Sequence, residues 1–210
     1  MAEVKKNGIV VSPSMGSGDT TLQVKAETVN RGNRVTQLAT FEVEGTGVAT
    51  KKPFVAKHLP ADEFIEFDNK NPAVDKGGGT VTLTGKSNSQ KITFSKGAGD
   101  VIDADIAAIK FTANGAEATS GVNIAGDPGA KAKYSFRLTL TAAANETIKA
   151  RTQQIIAAAN GGQKATTTLN QTAGDPFIEV APSQIDVPQN GSAVQVTVDT
   201  NTTFTVTPVS

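Results

Sequence analysis

The chain has 210 residues, with 20 Lys and Arg balanced by 20 Asp and Glu, a single His and no Cys. A formal net charge of zero supplies no global field to draw the protein onto nucleic acid or an anionic membrane. Without Cys, neither a disulfide framework nor a thiolate metal site can form. The start MAEVKKNGIVV lacks the apolar run of a signal peptide, and no stretch is long and apolar enough to cross a bilayer as a helix. The expectation is a protein made in a cytoplasm that leaves it, if at all, by lysis.

Thr, Val, Ala, Gly, Ser and Asn dominate, in short alternating runs between turn residues, which is the pattern of an all-β chain. Residues 1–58 read as strands at 9–11, 21–25, 38–43 and 48–56. The turns between them are SPSMGSGD, the polar stretch through Asn30 and Asn33, and Gly45-Thr-Gly47. Pro53 confines the last of these strands to an edge or a bulge, and the pairs Lys5-Lys6 and Lys51-Lys52 read as edge charges that discourage further pairing. A linker at 58–62 leads into residues 61–173. There, strands are expected at 64–67, 80–84, 91–94, 134–141, 154–158 and 165–171, with turns at Gly77-Gly-Gly79 and Asn160-Gly161-Gly162. Residues 95–133 read as a long loop insertion with strand-like pieces at 108–112 and 122–125. Residues 176–210 hold a further alternation, Val194, Val196 and Val198, behind the Asn190-Gly191 turn signal, continued by Phe204 and Val206.

An internal repeat organises these elements. Residues 61–67 (ADEFIEF) match 174–180 (GDPFIEV) at a shift of 113, and the same shift carries Gly78 onto Gly191, Val81 onto Val194, Leu83 onto Val196 and Asn88 onto Asn201. The second half of 61–173 in turn matches 1–58. Leu138 and Leu140 fall on Leu22 and Val24, Asn145 on about Asn30, and RTQQI (151–155) on RVTQL (34–38). The chain therefore reads as the second half of a unit (1–58), a whole unit (61–173) and the first half of a unit (176–210).

IEVAPSQIDVPQNGSAVQVTVDTN, VVSPSMGSGDTTLQV and the pattern ending in TTTLNQTAG resemble BACON-type immunoglobulin-like domains, tandem β-sandwich modules of gut Bacteroidetes proteins and of the crAss-like phages that infect them. The family's core Trp is absent, with Phe204 and Ile92 at about its positions. The chain has only ten aromatic residues from which a sugar platform could be built. The resemblance implies tandem immunoglobulin-like sandwiches. Such a sandwich needs about 100 residues and both sheets to bury its inner faces. The two end segments are therefore expected to pair as one sandwich, through Ile9, Val11, Leu22 and Val24 on one side and Val194, Val196, Val198 and Phe204 on the other. The partner segment comes from the same subunit, or head to tail from a neighbouring one.

The residues offer little chemistry. His58, in the linker, lacks the partners of a triad or a histidine metal site. Asp100, Asp103, Asp105 and Asp127 supply oxygen ligands in no EF-hand spacing and read as a solvated loop. Gly77-Gly-Gly79 precedes neither a helix nor a GK[ST] signature. The Asn-X-Thr triplets at Asn145, Asn170 and Asn201 have no secretory context. The expectation is a non-enzymatic protein without metal or cofactor: a phage virion component, foremost an auxiliary or decoration capsid protein that clamps major capsid subunits. The alternatives are a head-fibre or tail component and a carbohydrate-binding adhesion module. Its partners would be the major capsid protein or other virion proteins, with neither nucleic acid nor membrane, and with glycans only under the adhesion alternative.

Overall fold

The computed structural model describes residues 2–209, and among them every regular element is a β-strand. Residues 61–173 close into a two-sheet sandwich. To name its strands in chain order, the front segment comes first: β1 (Val4–Lys6), β2 (Ile9–Ser12), β3 (Gln23–Ala26), β4 (Thr36–Val43) and β5 (Lys52–His58). The middle unit holds β6 (Ile65–Phe67), β7 (Ala73–Val74), β8 (Gly79–Ser87), β9 (Ile92–Gly99), β10 (Lys110–Ala113), β11 (Ala116–Thr119), β12 (Tyr134–Ala142), β13 (Arg151–Ala159) and β14 (Lys164–Gln171). The tail holds β15 (Ile178–Ala181) and β16 (Thr197–Thr200).

One sheet of the middle unit runs β11-β10-β12-β8-β6 and the other β7-β14-β13-β9. Strand β12 is the spine of the first sheet. Its side chains alternate without a fault, Tyr134, Phe136, Leu138, Leu140 and Ala142 inward and the residues between them outward, as a period of two on a half-buried sheet requires. Their inner faces meet Phe94, Ile155 and Leu169 of the second sheet in one continuous core. The Phe94 ring touches Phe111 and Phe136 edge-on, at centroid distances of 5.1 and 5.8 Å, a favoured aromatic geometry.

The loop insertion contributes to this core. Residues 100–109 form no helix, yet Val101, Ile102 and Ile106 are almost wholly buried against it. The expected strand at 122–125 is reduced to a lone bridge between Lys91 and Asn123. Strand β11, absent from the expected elements, forms a hairpin with β10 through the left-handed pair Asn114-Gly115.

The front segment is built as two small sheets, β1-β2-β3 and β4-β5, facing each other over Ile9, Val11, Ala39 and Phe41. Phe41 stacks on Phe54 with ring centroids 5.4 Å apart. The repeat alignment placed Leu38 on the core position of Ile155, but Leu38 points to solvent and Ala39 takes the buried place. A bulge between Thr36 and Ala39, with Gln37 at a φ of 50°, inserts one residue and reverses the facing of everything before it. The tail holds a single ladder, β15 against β16, and is exposed along almost its whole length.

Among the described residues of one chain, the front and the tail share no sheet. β2 lies between β1 and β3, and β16 lies beside β15 alone. The joints explain why. The front is fastened near the Tyr134 end of β12. There Asp127 accepts hydrogen bonds from Asn33 Nδ2 (2.9 Å) and Arg34 Nε (2.7 Å), and the Asn33 amide donates to the Gly129 carbonyl (2.9 Å). The tail is fastened near the Ala142 end, where Asn201 Nδ2 donates to the Glu146 carbonyl at 2.7 Å and Lys76 pairs with Asp175. Nine residues of strand separate the two ends of β12, about 27 Å at the rise of a β-strand.

Candidate functional site: the open strand edges of the two end segments

The tail reproduces the pairing of β6 with β8 in the closed unit. In the middle unit Ile65 lies opposite Ser87 and Phe67 opposite Gly85; in the tail Ile178 lies opposite Thr200 and Val180 opposite Val198, the same register displaced by 113. The side-chain clasp recurs as well. The Phe64 amide donates to Asn88 Oδ1 (2.9 Å) and Asn88 Nδ2 to the Asp62 carbonyl (3.0 Å). In the tail the Phe177 amide donates to Asn201 Oδ1 (3.0 Å) and Asn201 Nδ2 to the Asp175 carbonyl (2.8 Å). The Ser87 hydroxyl donates to the Phe64 carbonyl as the Thr200 hydroxyl does to that of Phe177.

The front mirrors the other half. Asn145 Nδ2 bridges the Lys149 and Thr172 carbonyls, and Asn30 Nδ2 bridges those of Arg34 and Leu59 with matching distances of 2.7–3.0 Å. These clasps are local and form without the rest of the sandwich. They hold the local shape of each end segment.

Equivalent positions differ in burial. Leu138 and Leu83, opposite each other in the closed unit, are 0 and 3 % exposed; their counterparts Leu22 and Val196 are 36 and 42 % exposed. Val24 and Val194, the counterparts of Leu140 and Val81, are exposed in the same way, as is Phe204. Ile9 and Val11 are buried, but beneath β4 within the front itself. Val198 is half-buried in β16. Full burial of a side chain of this size is worth about 1.5–3 kcal/mol, and these partly exposed ones forgo a fraction of it.

Strand length follows partner length. The closed unit's β8 runs nine residues because β12 pairs with all of it, whereas β16 runs only the four residues that face β15. Residues 192–196, which carry Val194 and Val196, lie outside any strand. Strand β3 is likewise only four residues long, with β2 on one edge and nothing on the other.

Between the two sheets of the front runs an open groove of about 1600 Å³, lined among others by Val11, Leu22, Phe41, Val43 and Phe54. It exceeds the roughly 300–1,000 Å³ of a small-molecule pocket. Charge divides between the halves: residues 1–58 carry eight Lys and Arg against five Asp and Glu, while residues 174–210 carry four Asp and Glu and no Lys or Arg.

His58 and Asp127 have structural partners. His58 ends β5, where its Nε2 accepts from the Asn30 amide at 3.1 Å. That fixes Nδ1 as the protonated nitrogen, donating to Gln37 Oε1 at 2.8 Å. Asp127 belongs to the joint with the front, apart from Asp100, Asp103 and Asp105. Among the described residues no three His, Cys, Asp or Glu side chains gather as a metal site. Asp127 was invisible as a joint residue in the sequence, since nothing in its spacing pairs it with Asn33 and Arg34. Asn201, by contrast, was marked by the repeat. No protein-family model matches the chain, and no curated protein matches it.

Proposed function

We propose that this is a non-enzymatic structural protein of a phage particle, an auxiliary or decoration capsid protein that clamps major capsid subunits through its β-sheet edges. The observation that carries the reading is the pair of unfinished sandwich halves flanking a closed one. Exposed strand edges backed by apolar side chains take up another polypeptide by adding strands. A rigid sandwich between two such surfaces spans neighbouring subunits without any catalytic group. The resemblance to BACON-type domains of crAss-like phages supports the virion setting.

The test is the composition of intact particles, by mass spectrometry and cryo-electron microscopy. A copy number in fixed ratio to the major capsid protein is expected. Its presence only in tail or fibre fractions would move it to those parts, and its absence from purified particles would end the reading.

A further inference from the structure

We infer that the partner which completes the front is the tail of a second copy of this chain, so that subunits join head to tail. The inference rests on the structural reading above only in taking the open halves as assembly surfaces, and it adds the occupant, the register and the polarity. Three independent observations point to it.

The closed unit is a worked example of the completed joint, because β12 and β8 pair there with Leu138 opposite Leu83 and Leu140 opposite Val81. Carried to the front and the tail, that ladder sets Leu22 opposite Val196 and Val24 opposite Val194 of the next subunit. The free edge of β3 takes the segment 192–196, and β15 becomes the outer strand of the extended sheet.

The second observation is placement. Front and tail are anchored at opposite ends of the closed unit, so the tail faces away from its own front and toward that of another subunit. The third is charge. The cationic excess of residues 1–58 meets a tail with acidic residues only, which favours this pairing over front with front or tail with tail. Repeated head to tail, the contact is heterologous and generates a filament, or a ring where the rotation closes.

The experiment uses the full chain. Purified protein is followed by light scattering over a concentration series at low and high salt, and the expected result is a mass that rises with concentration and falls with salt. Leu22→Cys combined with Val196→Cys adds a register test in a protein with no other thiol. Oxidation should yield a ladder of covalent multimers that reductant collapses to monomer.

Val194→Asp with Val196→Asp, at exposed tail positions, should leave a folded monomer, as should Leu22→Asp at the front. An equimolar mixture of the tail-blocked and front-blocked proteins should form a dimer and nothing larger, since one intact front meets one intact tail. A wild-type mass that stays monomeric at every concentration would overturn the inference. So would a disulfide closing within single chains, or multimers that survive the tail substitutions. None of these outcomes depends on whether the protein is found in particles, so the two readings fail separately.

Discussion

Tyr134 shows how one side chain is held in the closed unit. It is the chain's only Tyr, and there is no Trp. The ring is buried, and its hydroxyl donates to the Ser89 carbonyl at 2.7 Å. Burial, the largest influence, pushes its pKa well above the ordinary phenol value of 10.0. The folded protein therefore keeps a proton that the unfolded chain gives up near pH 10, so this residue's contribution to stability is whole below that pH and is lost as pH rises above it. Phenolate absorbance is expected to appear only together with loss of β-sheet circular dichroism, in one transition. Tyr134→Phe should remove this residue's part of the alkaline sensitivity and cost about 1–2 kcal/mol in urea unfolding at neutral pH.

The paired asparagines give a second contrast at this scale. Asn88→Ala strips two hydrogen bonds from a buried site and should cost about 1–3 kcal/mol. Asn201→Ala should leave the main unfolding transition in place and loosen only the tail, as hydrogen exchange of the Phe177 amide would report.

At the scale of strands, equivalent positions have different consequences because their neighbours differ. Leu138→Ala hollows a filled core and is expected to cost about 2–5 kcal/mol. Leu22→Ala, at the matching position in the front, should change monomer stability by less than about 1 kcal/mol. Gly85→Ala tests the packing from the other direction. A Cβ there would lie 2.1 Å from the Glu66 carbonyl oxygen and 2.4 Å from the Phe136 ring, so β6 and β8 must part. Loss of several degrees in melting temperature is expected.

Strands were legible where side chains alternate and the core is filled, as in 80–84 and 134–141, and the repeat at a shift of 113 carries the register of β15 against β16. The bulge at Gln37 was not legible, because one left-handed residue changes facing without changing composition. Strand β11 escaped for a related reason: AEAT has a single β-former, Thr119, and pairs because the Asn114-Gly115 turn folds it back on β10.

At the scale of the molecule, the candidate site was half written in the sequence. The repeat says which residues belong to unfinished halves. It is silent on how the halves are aimed, since that is decided by joint contacts such as Asp127 with Asn33 and Arg34, which follow no periodicity. Asp127→Ala is expected to free the front from the closed unit while leaving the middle core intact. Small-angle scattering should show a larger radius of gyration with unchanged circular dichroism.

The attachment of the two end segments at opposite ends of β12 also governs how the protein answers a pull. Tension applied from one end segment to the other enters near Tyr134 and leaves near Ala142, along the strand axis rather than across it. The chain enters the closed unit through β6 and leaves it through β14, so the backbone bonds of β6 with β8 and of β14 with β13 and β7 carry the load, in shear rather than unzipped one after another. A chain strung between neighbours that swell apart would behave as a stiff tether, giving way in one abrupt event under force spectroscopy rather than by gradual lengthening.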